Sequence, residues 1–254
     1  MTPEETALES RLAADSRELL TAIATAMLAI DLADYESASL ATVRAALLSA
    51  YANNEQMQAA IADVLLPYLV AAYEIGGQMA LDELGLPFVF NLTDIPTRSQ
   101  LRSRAESLAS ADGDVSLAQT SASEIGGAFV RFRDAAAAAG GNFSVAAIGA
   151  LLVDYIGNRA QVRAAAIAPN ESVWASSRGA AAAFVRNGVQ RLEYECEPDV
   201  EERCTTQTCT PHCGRQFSAE NPPAWASLPK HPRCRCRHRA VMDEWVRPVA
   251  AWTG

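Results

Sequence analysis

Between Cys196 and His238 lie all six cysteines and all three histidines of this 254-residue chain, and the preceding 195 residues contain neither. Such a concentration means that metal, disulfide or redox chemistry holds the segment together. Cys209-x3-Cys213 followed by His231-x2-Cys234-x-Cys236 supplies the residue types and short spacings of a structural zinc site. In such a site four soft or borderline ligands close a tetrahedron around the ion. These sites stabilise small loop-rich modules that bury little apolar surface. The candidate ligands are therefore Cys209, Cys213, His231, Cys234 and Cys236. Two or three disulfides are the alternative, and they need an oxidising compartment; reduced, unliganded thiols are a third state. The opening Met1-Thr-Pro-Glu-Glu5 is acidic and shows neither the positive region nor the apolar core of an export signal, which favours metal over disulfides.

Strand periodicity sorts the same residues into faces. If Arg233 to Arg239 is extended, side chains alternate across the strand. Arg233, Arg235, Arg237 and Arg239 then share one face, and Cys234, Cys236 and His238 share the other. A row of arginines is either a charged strand edge that blocks further pairing or a contact surface for DNA or an acidic partner.

The run Pro229-Lys-His-Pro-Arg-Cys-Arg-Cys236, with an upstream cysteine pair, Gly214 after it and Pro222-Pro223 between, resembles the end of the phage head morphogenesis domain. This is the Mu F-like minor capsid family. Its closing pattern is a cysteine pair, a short turn and then His-Pro-x-Cys-Arg-Cys, after a glutamate-bearing helix and a strand. Glu171 and the segment Val189–Glu195 stand in those places, so the resemblance covers roughly residues 95–245. It implies a structural protein without catalysis, acting in head assembly with the portal and other capsid proteins. It also implies residence in the virion, at the capsid interior or portal vertex, after assembly in the host cytoplasm. No membrane and no small-molecule substrate are implied, and packaged DNA is a possible contact for the arginine face. The family pair is usually two residues apart, whereas Cys209 and Cys213 are separated by three, and Cys196 and Cys204 are additional. Which upstream cysteines act as ligands is left open by that departure. Without the resemblance, a cellular zinc-ribbon-like nucleic-acid-binding or regulatory protein is the second reading, and a cysteine- or zinc-dependent enzyme the third.

Signals for catalysis are sparse. The chain has no phosphate-binding glycine loop, no Gly-x-Ser-x-Gly and no His-Glu-x-x-His. His212 beside Cys213 has the form of a base next to a thiol, and Glu201 or Glu202 is close enough in sequence to a zinc site to act as a base, but cysteines this dense at ligand spacing fill metal positions.

Composition sets the wider frame. Half the residues are hydrophobic, which excludes a disordered chain. The longest candidate for a membrane span, Ala59 to Leu84, is interrupted by Asp63, Pro67, Glu74 and Asp82, so a soluble protein is expected. Charge is uneven: residues 1–95 carry three Arg against fourteen Asp and Glu. That front half is unsuited to phosphate contacts, which need cations, and suits solubility or docking on a basic protein surface.

The elements that position the cluster are mostly helical. Thr2, with Pro3, Glu4 and Glu5 behind it, opens a first helix. A second begins after Ser37 or Ser39 and ends near Asn53-Asn54, and a third runs from about Met57 to Gly85 with a kink at Pro67. Phe88–Leu92 reads as a linker or a buried extended piece. Asp94 then caps a helix with Pro96 in its first turn. Further helices are expected over 116–139, 144–156, 158–168 and 170–187, broken at Gly157 and Pro169. After Gly188 a strand over 189–195 pairs with one over 234–241, and Trp245 and Trp252 follow in the tail. The expected fold is thus α+β and mostly α-helical, in three consecutive parts. These are an acidic helical bundle (1–93) stable by itself, a helical Mu F-like part (94–188), and a small β module stapled by Cys and His, with its tail (189–254).

Overall fold

The computed structural model describes residues 2–93, 95–113, 115–140, 144–196, 208–232 and 234–242. Among the described residues the helices are α1 (Pro3–Met27), α2 (Leu40–Ala52), α3 (Glu55–Glu83), α4 (Ile95–Ala109), α5 (Leu117–Ala138) and α6 (Val145–Arg186). The strands are β1 (Arg191–Glu195), β2 (Gln216–Ser218) and β3 (Arg237–Ala240). The class is α+β, dominated by helix. Asp94, Arg233, Glu201, Glu202, Cys204, Trp245 and Trp252 lie outside the described residues.

Local chemistry explains where the helices start. Thr2 and Glu5 form a reciprocal capping box: Thr2 Oγ1 accepts from the Glu5 N–H at 3.1 Å, and the Thr2 N–H donates to Glu5 Oε2 at 2.6 Å. This satisfies two donors that the first helical turn leaves open. Ser39 Oγ accepts from the Thr42 N–H at 3.2 Å, and Ser116 Oγ from the Gln119 N–H at 3.1 Å, which sets the starts of α2 and α5. Gly85 and Gly188 follow the ends of α3 and α6 with φ of 63° and 77°. That left-handed backbone costs glycine nothing.

One helical expectation is corrected. Residues 145–186 form a single helix of 42 residues with Pro169 inside it, where the sequence suggests breaks at Gly157 and Pro169. A proline removes one hydrogen bond and crowds the carbonyl four residues earlier. Ala160, Ala164, Ala168, Ala175 and Ala183 are all buried along α6, and packing of a helix face offsets the local cost of the proline. Glu171, which a break at Pro169 would put near a helix start, is accordingly a buried residue inside α6. Helix α3 is long and apolar enough to cross a membrane by length and composition; its Ile61, Leu65, Leu69, Ala72 and Tyr73 are buried within the protein.

The chain divides into two compact units that interleave in sequence: Met1–Arg11, Pro67–Leu101 and Ala166–Gly254 form one, and Leu12–Leu66 and Arg102–Ala165 the other. Residues 1–93 are thus shared between both units. Pro67 opens its segment of the first unit, and Pro169 stands close to the start of another.

In the second unit α2 packs on α5. Val43, Leu47 and Tyr51 are buried on α2, and the Tyr51 hydroxyl donates to the Ala109 carbonyl at 2.5 Å. Arg163 reaches Ser121 Oγ at 2.7 Å and the Leu117 carbonyl at 3.2 Å.

The first unit is built on backbone-to-backbone contact between α3 and α6. A Cβ on Gly179 would stand 1.8 Å from the Tyr73 carbonyl oxygen, and one on Gly76 would stand 2.0 Å from that of Ser176. Only glycine allows helices this close. Beside them the extended piece 86–93 is tied to α3, because the Phe90 N–H donates to Gln78 Oε1 at 3.0 Å and the Leu92 N–H to Glu74 Oε1 at 3.1 Å. After Gly188 the chain enters β1, the centre of an antiparallel sheet of order β2-β1-β3. Strand β2, three residues long, has no counterpart among the sequence expectations.

Two glycine substitutions in α6 separate packing from helix propensity. Gly179→Ala should destabilise the protein by about 1–3 kcal/mol through overpacking. Gly149→Ala, with nothing within 4 Å of the added carbon, should stabilise it by about 0.5–1 kcal/mol. Urea unfolding of both variants checks the contrast, and equal effects of one sign would contradict the close helix contact.

Candidate metal centre

The sheet topology brings the cysteines together. Both flanking strands run antiparallel to β1: Glu193 pairs with Gln216 at the start of β2, and Glu195 with Arg237 at the start of β3. The segments that precede β2 and β3 therefore arrive at the same end of β1. Cys209 and Cys213 are carried by the first of these segments, Cys234 and Cys236 by the second, and Cys196 directly follows β1. The short 3-10 turn Thr210–His212 and left-handed Gly214, with φ of 71°, fold the first segment back. The Gly214 N–H then donates to the Tyr194 carbonyl at 2.9 Å.

The alternation expected over 234–239 is present. Cys234 and Cys236 are buried, Arg235 is half-buried, and Arg237 and Arg239 are exposed. The sulfurs of Cys209, Cys234 and Cys236 lie within 4.8 Å of one another, close enough to bind a metal ion. The Cys209 and Cys234 sulfurs are 4.0 Å apart. A tetrahedral ion with metal–sulfur bonds of about 2.3 Å sets its sulfurs about 3.8 Å apart, close to the Cys209–Cys234 separation.

Electrostatics in the cluster favour a cation. The hydrogen bond between the two sulfurs draws the Cys234 thiol down and pushes Cys236 up. Backbone N–H groups of Lys230 and Cys236 and the charge of His231 also favour the Cys234 thiolate. One proton thus leaves readily, and loss of the next is opposed by burial and by the negative sulfur already present. A divalent ion at the centre removes that opposition. Tyr194, fully buried, donates its hydroxyl to Cys209 Sγ at 3.6 Å, and burial raises its pKa.

No protein-family model, curated protein or solved structure matches this chain.

The other expected ligands stand outside the cluster. Cys213 is joined to Cys196 by a disulfide. The two bridge sulfurs lie 3.6 and 3.5 Å from the Cys209 carbonyl oxygen, so the bridge adjoins the centre without contributing a thiolate to it. His231 turns Nδ1 to the Pro232 carbonyl at 2.9 Å. The pairing of His212 with Cys213 as base and nucleophile is absent: the His212 ring stacks on Trp225 at 5.2 Å, and the Cys213 sulfur is bonded. Sequence spacing did not reveal the bridge, because Cys196 lies before the loop and only the sheet register brings it beside Cys213.

An aromatic group backs the centre. Phe217 meets Trp225 at 5.5 Å and His238 at 5.0 Å, and Arg215 covers the Trp225 ring at 4.2 Å. His238 Nε2 donates to the Ala226 carbonyl at 2.8 Å, and burial holds the imidazolium below its usual range. Cys236 and His238 border a cavity of about 440 Å³, with Leu8, Ile75, Ser172 and Phe184. The Ser172 hydroxyl and His238 Nδ1 are buried without a protein hydrogen-bond partner, and the cavity has room for water to reach both.

The arginine face is matched by carboxylates of the same chain. Arg235 forms a two-pronged pair with Glu9, its Nη2 at 2.8 Å from Oε2. Arg237 pairs with Glu195, and Arg239 reaches Glu195 at 3.1 Å and Glu83 at 3.8 Å. Burial would raise the Glu195 pKa, but the hydrogen bond and charge of Arg237, with Arg239, hold it below the usual carboxylate value. A carboxylate lowered on folding contributes stability that is present above its unfolded pKa and lost as pH falls through the folded one. Glu195→Gln should therefore weaken the protein at pH 7 and make little difference well below pH 4.5, the ordinary value for this group. Urea midpoints of both proteins at neutral and acid pH test this. An equal deficit at both would assign the effect to lost packing.

Proposed function

We propose that this chain is a minor capsid protein of a tailed phage or phage-like particle, acting in head morphogenesis beside the portal, with a C-terminal module held by structural zinc. The observation that carries the reading is the placement of Pro229–Cys236. Its two cysteines enter one buried cluster with upstream Cys209, behind a helix that bears Glu171 and a strand that leads into the module. That is the order of parts in the family the motif resembles. Zinc is the metal this donor set favours, since three buried thiolates are soft ligands and zinc asks for no redox chemistry. When bound, the ion cross-links the loop before β2 to the segment before β3. Cys209, Cys234 and Cys236 hold it, and Tyr194 and the N–H groups of Lys230 and Cys236 fix the orientation and charge of those sulfurs.

In this role the protein joins other proteins and carries out no catalysis. The acidic front, with fourteen acids among residues 1–95, is the surface for a basic partner such as the portal. Contacts between exposed charges are screened over about 10 Å at 0.1 M salt, so docking there weakens as salt rises. Contact of Arg235, Arg237 and Arg239 with DNA would require Glu9, Glu83 and Glu195 to give way, which favours the acidic docking surface.

Two measurements decide between outcomes. Mass spectrometry of purified particles and their precursors should find the protein there, and its deletion should lower infectious yield. Its absence from both, with normal particles, would end the capsid reading. For the metal, elemental analysis of the reduced protein should give about one zinc per chain. Affinity should fall at acid pH, because ligand thiolates must stay deprotonated; a reduced protein without metal would reject zinc.

A further inference from the structure

Three protein thiolates leave one corner of a zinc tetrahedron open, and a closed structural site fills all four. Among the described residues, the side chains at hand to fill it are few. Neither ring nitrogen of His231 falls within the 4.8 Å grouping of the three sulfurs. Cys213 is different. It follows Cys209 by one short 3-10 turn, its sulfur stands 3.6 Å from the Cys209 carbonyl oxygen, and it is exposed to solvent. What removes it from the ligand set is its bond to Cys196, itself 3.5 Å from the same oxygen.

We propose that the centre has two ligand states controlled by this bridge, an inference that rests on the zinc reading above. With the bridge reduced, Cys213 is the fourth ligand beside Cys209, Cys234 and Cys236. With the bridge formed, the ion keeps three protein sulfurs and is held more weakly. A dithiol supplies the two electrons. Its thiolate attacks the exposed Cys213 sulfur, the Cys213–Cys196 bond breaks, and Cys196 leaves as a thiolate that takes up a proton. The second thiol of the reductant closes onto the mixed disulfide and frees Cys213, and the reductant ends as a cyclic disulfide. Cys213 then binds zinc as the thiolate. In reverse, a disulfide oxidant such as oxidised glutathione takes up two electrons, the Cys213–Cys196 bond re-forms, and the zinc–Cys213 bond breaks.

The geometry makes exchange feasible while the rest of the centre stays intact. Cys213 is exposed, whereas Cys209, Cys234 and Cys236 are buried. Thiol–disulfide exchange depends on access to the attacked sulfur, so a reductant reaches the bridge ahead of the cluster.

The test is zinc affinity of the full chain by chelator competition, with and without a dithiol, for the wild type, Cys196→Ser, Cys213→Ser and His231→Ala. Loss of even an outer-shell partner weakens a metal site about 10–100-fold, so loss of a ligand should cost about 100-fold or more. Wild type and H231A should bind tightly only when reduced. C196S, whose Cys213 stays free, should bind tightly without the reductant, and C213S weakly in both conditions. Cobalt(II) in place of zinc gives a second readout: its sulfur-to-metal absorption should drop in step with the loss of one thiolate on oxidation and in C213S. Near-ultraviolet circular dichroism confirms that the variants remain folded. The proposal is overturned if zinc binds equally with and without the dithiol, or if C213S binds as tightly as the reduced wild type. Zinc bound by no form of the protein would remove the metal reading itself, an outcome distinct from binding that ignores the redox state.

Discussion

Five cysteines meet at one end of β1, and the C-terminal module depends on that meeting. Its strands have five, three and four residues, far too little sheet to be stable alone. Leu192, Tyr194 and Phe217 are buried around it, and much of the rest is loop. Cross-links must therefore supply the order that packing does not. The sheet order β2-β1-β3 makes this possible, since both connecting segments are delivered to the place where β1 ends. Without that topology, cysteines separated by a long proline-rich connection would have no reason to meet.

The module also needs a fixed support. It hangs from the end of α6, and α6 is set against α3 through Gly179 and Gly76, where no side chain fits. The arginine ladder adds ties to α1 and α3, through Glu9 and Glu83. Arg235 is the least exposed of the three and has the two-pronged partner, so its pair is the best shielded from solvent. Exposed pairs such as those of Arg237 and Arg239 contribute less. Along residues 234–239 the arginine face is thus tied by charge, and the opposite face carries the buried sulfurs of Cys234 and Cys236.

Features written in local chemistry were legible in the sequence. The Thr2 cap, the Ser39 start, the glycine stops and the cysteine–arginine alternation each follow from a few neighbouring residues. Where a distant partner decides the outcome, the sequence was silent. Pro169 reads as a break because its local cost is visible, while the packing of the helix face that offsets it is not. Strand β2 has only Phe217 facing inward, too short a pattern for periodicity to detect. The ligand types of the centre were readable, and so were three of its members. Cys213 belonged by spacing, but its bridge to Cys196 depends on sheet register. The arginines looked free because their acids lie as far off as Glu9.

The interleaving of the two units bears on the order in which the molecule can be made. Glu9 and Arg235 are 226 residues apart in sequence, yet belong to one unit. At a synthesis rate of about 5–20 residues per second, roughly 10–45 s separate the emergence of the two. During that interval the first helix is on hand without the surface it is meant to meet. The unit that carries the cysteines can close only when the last of them has left the ribosome, so the contact of Glu9 with Arg235 forms only after the intervening residues have been made.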